Sequence, residues 1–216
     1  MVEPEATVLH LAAAPSADLP VPEGTSETAA RILRAGLELF ATRGYHATSI
    51  RDIAAGAGLQ SASLYTHFPS KEAILAELVT LAHTVHNRAL MSAIVGAGSD
   101  PKEQLRALIQ AHVAAHCRWS DLAAVANRHL EHLSDQAASA SIALRDSSQA
   151  LVVEVIERGV EQGVFVIEDL DITLSAIASL GIAVINWYPA KAATYTPEQV
   201  GATYGTLTLL MLGSSA

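Results

Sequence analysis

The residues in this chain that are most capable of chemistry are histidines on predicted helices. His112 and His116 stand four residues apart and His129 and His132 stand three apart, so each pair can present two imidazoles from one helix face. The catalytic pattern His-Glu-x-x-His requires a glutamate directly after the first histidine, and Val113 stands there instead. We therefore predict no bound metal, no cofactor and no catalytic residue. The alternative is a helical metal-binding protein or enzyme that uses these four histidines.

Signatures of other enzyme classes are also missing from the sequence. It contains no nucleophile elbow, no phosphate-binding glycine loop and no paired-carboxylate motif. Its one cysteine, Cys117, cannot form an intramolecular disulfide, so nothing indicates an oxidising compartment. The sequence predicts a cytoplasmic protein that is not an enzyme.

The charge of the chain is acidic but unevenly distributed. The 216 residues carry a formal net charge of -9, and half of them are hydrophobic. Residues 24–90 are the one part that is not acidic: they hold six bases and five acids. A small basic face within that part is sufficient to contact nucleic acid, whereas the acidic remainder limits non-specific binding. We expect a specific, salt-sensitive complex with double-stranded DNA.

Neither a secretory signal nor a membrane span is predicted. Residues 1–23 contain four acids and no Lys or Arg, so we predict a disordered acidic tail. The uncharged stretch 172–190 is long enough to cross a bilayer. Its polar residues, and the charges of Asp171 and Lys191 at its ends, favour a buried helix with a dimer face, and we expect no membrane partner.

Apolar residues recur at helical spacing along most of the chain, and the alternation typical of strands is missing. The predicted fold class is all-α. Turn signals separate the helices, the clearest being the break at residues 96–101. There Asp100 suits the N-cap, Pro101 the first helical position and Glu103 the capping-box partner.

The segment 25–88 predicts three short helices followed by a longer one. Thr48 is the predicted cap of the second helix, and a tight turn after Gly58 leads to a very short third helix at about 61–67. Leu64 and Phe68 give that helix one apolar face, and its other face carries no acid. A short helix that is held by packing and exposes such a face suits a helix-turn-helix, whose second helix enters the major groove.

Residues 26–80 resemble the DNA-binding region of TetR-type transcriptional regulators. The resemblance rests on the runs Thr48-Ser49-Ile50-Arg51-Asp52-Ile53-Ala54 and Ser63-Leu64-Tyr65-Thr66-His67-Phe68-Pro69-Ser70-Lys71-Glu72. It implies a three-helix DNA-binding domain joined through a fourth helix to a larger all-α domain for ligand binding and dimerisation. It implies phosphate contacts for Thr48, Tyr65, His67 and Lys71, and base or sugar contacts for Gln60, Ser61, Ala62, Ser63 and Thr66.

Two positions depart from the family pattern, which usually has Ser at position 60 and Gly at position 62. Gln60 is the weaker helix cap by about 1 kcal/mol, but its amide can pair with adenine in two-point fashion. Gln60 is therefore either a specificity residue or an exposed side chain without a contact. The methyl group of Ala62 suits a thymine methyl group.

The chain after residue 100 also resembles TetR-type regulators, and most of all those that respond to acyl-CoA thioesters or other lipid-derived acids. The resemblance rests on Glu161-Gln162-Gly163-Val164-Phe165 and Asn186-Trp187-Tyr188. We expect a cavity for a small-molecule effector in this part, lined by His112, His116, Trp119, Trp187 and Tyr188. Arg128 is either an anion partner in that cavity or a residue of a structural ion pair.

The last two predicted helices, at about 171–187 and 197–212, have almost no charge. Gly181, Gly201 and Gly205 allow close helix approach, so we expect a homodimer through these C-terminal helices. Two recognition helices about 34 Å apart can then read a palindromic operator.

Taken together, these features predict a ligand-responsive, dimeric DNA-binding regulator, a repressor that an effector releases from its operator. The predicted parts are a tail at 1–23, a helix-turn-helix domain at 24–70 and a ligand-binding and dimerisation domain at 71–216. The helix at about 71–88 connects the last two parts, and its movement would change the spacing of the reading helices.

Overall fold

The computed structural model describes residues 19–213, and within that range it contains helices and no β-strand, which confirms the all-α prediction. The predicted tail lies outside the described residues as far as residue 18. The α-helices are α1 Glu27–Arg43, α2 Ile50–Gly56, α3 Ser61–Tyr65, α4 Lys71–Gly96, α5 Pro101–Arg118, α6 Ser120–His129, α7 Asp135–Glu161, α8 Leu170–Ala183 and α9 Pro197–Met211. Short 3-10 turns cover Leu130–His132, Val184–Asn186 and Tyr188–Lys191.

Side-chain caps begin the first helices, although not always at the predicted residue. Ser26 caps α1, and Ser49 forms a capping box with Asp52 at the start of α2. The prediction that Thr48 caps α2 is wrong. Its hydroxyl donates to the carbonyl of Gly44 at 2.8 Å, and the residue is 1% exposed. Thr48 and Ser49 are both residue types that cap helices. Because the Thr48 side chain points inward, Ser49 is the cap of α2.

The break between α4 and α5 falls where the sequence predicts it. Asp100 accepts a hydrogen bond from the backbone N–H of Lys102 at 2.9 Å, and Pro101 is the first helical residue. Glu103 does not complete a capping box there, because its carboxylate pairs with Arg106 one turn further along α5. The connecting helix α4 is longer than predicted and runs to Gly96.

One hydrophobic core joins the N-terminal helices to part of the C-terminal half. It contains side chains of α1, α2, α3 and the first half of α4, together with Leu122, Val125 and Ala126 of α6. Leu19, inside the predicted tail, is 7% exposed and belongs to this core. The ordered part therefore begins before Gly24, and the helix-turn-helix packs directly on α6.

A second core lies among α5, the end of α7, α8, α9 and the second half of α4. Gly201 of α9 faces α5 so closely that a Cβ there would lie 2.6 Å from the carbonyl oxygen of Gln110. A Cβ at Gly205 would lie 3.2 Å from Arg106. The expectation that these glycines face a dimer partner is wrong, because both are used within the chain to bring α9 onto α5. Among the described residues, no helix is long and apolar enough to cross a membrane.

Phe165, which follows α7, is buried in the second core. Its backbone N–H and that of Val164 both donate to the carbonyl of Gly159, which turns the chain back at the end of α7. The Phe165 ring then lies directly over Gly159, where any Cβ would overlap it. Glycine is thus required at position 159 because the Phe165 ring lies so close, and not because the backbone there adopts a positive φ.

Gly159→Ala should lower the free energy of unfolding by about 1–3 kcal/mol, because the new methyl group must displace the buried Phe165 ring. The control is Gly96→Ala near the end of α4, where a Cβ meets nothing within 4 Å. That change should be neutral or stabilise by up to about 1 kcal/mol. Urea unfolding followed by circular dichroism measures both, and equal free energies of unfolding for the two variants would contradict the packing described.

Candidate DNA-reading surface and effector cavity

The short helix α3 presents the side chains that the sequence predicts to contact DNA. Leu64 is fully buried and Phe68 half-buried, so one face of α3 is held against the first core. The opposite face is open to solvent. Exposed there are Gln60, Ala62, Ser63, Tyr65, Thr66 and His67, while Ser61 is half-buried. Gln60 makes no capping hydrogen bond, so its amide is available for other contacts.

Lys71 has a structural role that the sequence does not reveal. Its ammonium group donates to the carbonyl oxygens of Tyr45 at 2.7 Å and Thr48 at 2.8 Å, and lies 4.1 Å from the centre of the Tyr45 ring. Burial lowers the pKa of this ammonium group. Lys71 therefore ties the start of α4 to the loop between α1 and α2. The predicted phosphate contact by Thr48 is wrong for this conformation, because that side chain is buried.

Arg31 of α1 also has a structural role, although it is an exposed residue. Its guanidinium donates to the carbonyls of Ala57 and Gly58, at the turn between α2 and α3. Gly58 adopts a φ of +66°, which an L side chain rarely adopts, and a Cβ there would lie 2.9 Å from the guanidinium. The turn that aims α3 is thus set by one arginine and one glycine. Arg34, Arg43 and Arg51 are exposed as well.

A cavity of about 500 Å³ lies in the C-terminal half, between α4, α5, α6, α7 and α8. Aliphatic side chains and Trp119 form more than half of its lining, and histidines, other polar residues and two charged residues form the rest. His112, His116 and Trp119 line it, as the sequence predicts. Such a volume with a few placed polar groups is typical of a small-molecule site.

Three predicted lining residues lie elsewhere. Tyr188 is buried in the second core, where its hydroxyl donates to the carbonyl of Tyr195 at 3.1 Å, and Trp187 packs beside it. Arg128 is exposed on α6 and does not line the cavity. The chain breaks after Ala183 into 3-10 turns, so the predicted single helix to residue 187 does not form and the aromatic pair turns away from the cavity.

The four predicted histidines do not form one cluster. His112 and His116 meet His86 of α4 at the cavity wall, and Nε2 of His86 lies 2.7 Å from Nδ1 of His112. Burial lowers the pKa of all three imidazoles, that of His86 to about 3, with the neighbouring His116 as a further cause for His86 and His112. These rings are therefore neutral at physiological pH.

His129 and His132 lie in a second group, beside the helix-turn-helix. The ring of His132 stacks on Tyr45 at 5.4 Å between centroids and meets His46 edge-on at 4.3 Å. His129 stacks on His132 at 5.5 Å. This contact connects the end of α6 with the same loop that Lys71 holds.

The sequence reasoning missed several polar residues of the cavity. His83 and His86 come from α4, Arg145 and Gln149 from α7, and Asp171 from α8. Spacing along one helix reveals pairs such as His112 and His116 on α5. It does not reveal which residues of α4, α7 and α8 face that pair. His83 and His86 share a helix face at i, i+3, which was the one signal available.

Comparison with known proteins is consistent with this two-part arrangement. Residues 32–78 match the family model described as bacterial regulatory proteins, tetR family, and residues 98–212 match the model of the tetracyclin repressor-like C-terminal domain. The chain belongs to the TetR family. It is therefore a helix-turn-helix transcriptional regulator, with α1–α3 as its DNA-binding part.

Individual relatives of this TetR-family regulator cover most of its length. The HTH-type transcriptional repressor KstR2 of Mycobacterium tuberculosis is 31% identical over 175 residues, which are 80% of this chain and 86% of that protein. A solved tetR-family regulatory protein from Rhodococcus RHA1 has a TM-score of 0.81 at 31% identity, covering 89% of this chain and all of that one. The structure of the ketosteroid transcriptional regulator KstR2 of M. tuberculosis has a TM-score of 0.77 at 28% identity, covering 87% and 95%.

Lys71→Met should lower the free energy of unfolding by about 1–3 kcal/mol, because it removes two charge-assisted hydrogen bonds and keeps the apolar stem. Lys191→Met, at an exposed position of a 3-10 turn, is the matched control and should change stability by less than about 0.5 kcal/mol. Thermal and urea unfolding give both values. If the two variants were equally stable, Lys71 would not be the brace described.

Proposed function

We propose that this TetR-family regulator is a homodimeric repressor, and that an effector in the cavity releases it from a palindromic operator. One observation carries the proposal: two helices line the cavity and also contact the loop between α1 and α2. These are α4, through Lys71, and α6, through His132 just after its end. As a regulator of bacterial genes it would act in the cytoplasm, and we propose no enzymatic activity. Its relatives named as transcriptional repressors support repression as the outcome of operator binding.

The exposed face of α3 is the proposed reading surface. Ala62, Ser63 and Thr66 are small enough to let the helix approach base edges, and Gln60 can pair with adenine. We propose phosphate contacts for Tyr65, the last residue of α3, for His67, two residues further on, and for the N-terminus of α4, because all of them are at the surface or half-buried. Ser61 contributes from a half-buried position, and Lys71 contributes by holding the loop and by its charge.

We infer that the effector has an apolar body and at least one polar group. Leu90, Ile109, Leu122 and Ile177 contribute apolar wall, and His112 and His116 contribute polar atoms. Arg145 also lines the cavity, and its half-exposed side chain has Nε 3.8 Å from a carboxylate oxygen of Asp146. A negatively charged part of an effector can pair with the rest of this guanidinium group. We propose a lipid-derived acid or its acyl-CoA thioester as the effector class. Trp119 supplies an aromatic surface on the α6 side.

Helix α4 is the first proposed route between cavity and DNA. Its N-terminal Lys71 holds the loop between α1 and α2, and its His86, about 22 Å further along the helix, lines the cavity. Glu72 also accepts hydrogen bonds from the backbone N–H of Ser134 at 2.9 Å and from its hydroxyl at 2.8 Å, which ties the same helix end to α7. A displacement of α4 at the cavity must therefore reach the loop.

Helix α6 is the second proposed route. Leu122 and Ala126 line the cavity and also belong to the first core beneath the helix-turn-helix. At the end of α6, the His132 ring packs on Tyr45 and His46. An effector that pushes α6 outward would move this contact and turn the reading helix away from its operator spacing. A coupling of about 1–3 kcal/mol is enough for a 5- to 150-fold loss of DNA affinity.

The proposed dimer face lies on α8 and α9. Leu180 of α8 and Leu207, Leu210 and Met211 of α9 are large apolar side chains that are between 41% and 55% exposed. The opposite side of α9 is buried against α5, so these residues form the outer face. An uncharged apolar patch of this kind marks an interaction surface, and a second copy supplies the two-fold symmetry that operator reading requires.

The four-histidine alternative receives no support from the geometry. His112 and His116 line the cavity, whereas His129 and His132 pack on Tyr45 beside the helix-turn-helix. The two pairs therefore cannot bind one ion or one substrate.

Tyr65→Ala should weaken operator binding by about 5- to 150-fold, because it removes the phosphate contact proposed for the exposed last residue of α3. Tyr195→Ala is the matched control: that side chain is 48% exposed against 52% for Tyr65, and it lies near the start of α9. Binding is measured by fluorescence anisotropy on a DNA fragment selected from a random library by the wild-type protein. Failure of the wild type to select a sequence, or equal affinities of the two variants, would contradict the proposed reading surface.

Val152→Trp should abolish effector binding, because Val152 lines the cavity and an indole there fills part of it. Val153→Trp changes the next residue on α7, which is equally half-buried but does not line the cavity. Fatty acids and their acyl-CoA thioesters are screened by thermal shift. A ligand at 100 times its Kd should raise the Tm of the wild type and of Val153→Trp by about 5 °C or more. An equal rise for Val152→Trp would place the ligand outside the cavity.

Leu207→Glu combined with Leu210→Glu should convert the dimer to a monomer, because each change places a charge on the proposed apolar face. Val95→Glu is the control, since Val95 is also exposed but belongs to α4, which is not one of the two helices of that face. Sedimentation velocity gives the mass. A double variant that remains dimeric would show that the interface lies elsewhere.

A further inference from the structure

Three histidines converge at the wall of the cavity in an arrangement that the proposed function does not use. His112 and His116 are one turn apart on α5, and His86 faces them from α4. One ring nitrogen from each lies within 4.8 Å of the other two. Of all His, Cys, Asp and Glu in the part of the chain that the structure describes, only these three come together so closely as a group.

The hydrogen bonds of the cluster indicate which nitrogens face one another. Nδ1 of His116 lies 2.9 Å from the carbonyl oxygen of His112, which can only accept, so Nδ1 carries the proton and Nε2 keeps its lone pair. A histidine that donates one N–H to a backbone carbonyl is typical of a metal ligand, because this bond fixes the tautomer and the ring orientation.

The ring of His112 is fixed from the opposite side. Gly181 of α8 lies so close that any Cβ there would overlap the His112 ring at Nε2. Nε2 is buried against this glycine without a hydrogen-bond partner, so Nδ1 is the nitrogen that faces the cluster. Nδ1 of His112 lies 2.7 Å from Nε2 of His86, and one proton is shared between these two nitrogens.

We propose that Nε2 of His86, Nδ1 of His112 and Nε2 of His116 bind one divalent transition-metal ion. Imidazole nitrogens suit zinc, nickel, copper and iron, whereas magnesium and calcium require oxygen ligands. Metal–nitrogen bonds of about 2.0–2.1 Å in a tetrahedral arrangement separate the nitrogens by about 3.3 Å, so His86 and His112 must move apart by roughly 0.6 Å. The proton that they share passes to the other ring nitrogen of its donor, so both imidazoles stay neutral.

Three ligands leave one coordination position of a tetrahedral ion open, and all three histidines line the cavity. A site of three imidazoles with an open position can accept an oxygen or sulfur atom of a molecule in the cavity. This consequence for the effector rests on the proposed function, whereas metal binding itself does not.

The test uses the full chain, stripped of metal with a chelator and titrated with zinc chloride by calorimetry. We expect one equivalent to bind, and His86→Gln to weaken binding by more than about 100-fold. The matched control is His129→Ala with His132→Ala, which removes two histidines from the other group and should leave zinc affinity unchanged. Circular dichroism and thermal unfolding of each variant show that it is folded.

Cobalt(II) chloride gives a second readout that does not depend on stability. The wild type should show the intense visible absorption of four-coordinate cobalt, and His86→Gln should lose it while the double variant keeps it. No bound zinc in the wild type, or zinc and cobalt binding that survives His86→Gln, would overturn the site. The zinc and cobalt experiments contain no DNA, so they are independent of the proposed function. A protein that binds zinc but selects no operator would contradict only the proposed function, and a protein that selects an operator but binds no zinc would contradict only the metal site.

Discussion

The contact on which the rest of the structure depends is that of Lys71 Nζ with the carbonyl oxygens of Tyr45 and Thr48. These two carbonyls belong to the loop that precedes the Ser49 cap, so the contact fixes where α2 begins. Arg31 then sets the turn between α2 and α3 from the other side. With both turns fixed, a reading helix of five residues, too short to be stable in isolation, is held in one orientation.

The same loop is where the two halves of the regulator meet. Lys71 begins α4, which runs to the cavity wall at His86, and His132 packs on Tyr45 directly after α6. The first core continues from the helix-turn-helix into α6 without a boundary. Because the reading part and the cavity share this core, a displacement at the cavity can shift the reading part, which is the physical requirement for release by an effector.

The sequence is sufficient for much of the fold and for the division of α3 into a buried and an exposed face. Helical spacing and turn signals predict the helices, and the face of α3 follows from Leu64 and Phe68 alone. The sequence is less informative where two adjacent residues could take the same capping position, or where contacting residues come from different helices. Thr48 and Ser49 could both cap α2, and the inward hydrogen bond of Thr48 to Gly44 decides. Gly201 and Gly205 indicate a close helix contact, but the sequence does not reveal that the partner is α5 of the same chain. His86 joins His112 and His116 across 26 residues of sequence, a distance at which no local pattern operates.

The central claim is that effector binding in the cavity and operator binding by α3 are coupled. The most direct measurement is the affinity of the small molecule that the purified protein retains, determined by calorimetry with and without saturating operator DNA. We expect operator DNA to weaken that affinity by about 5- to 150-fold, and by the same factor with which the molecule weakens operator binding, because coupling between two sites is reciprocal. An affinity for the molecule that operator DNA leaves unchanged would contradict the claim.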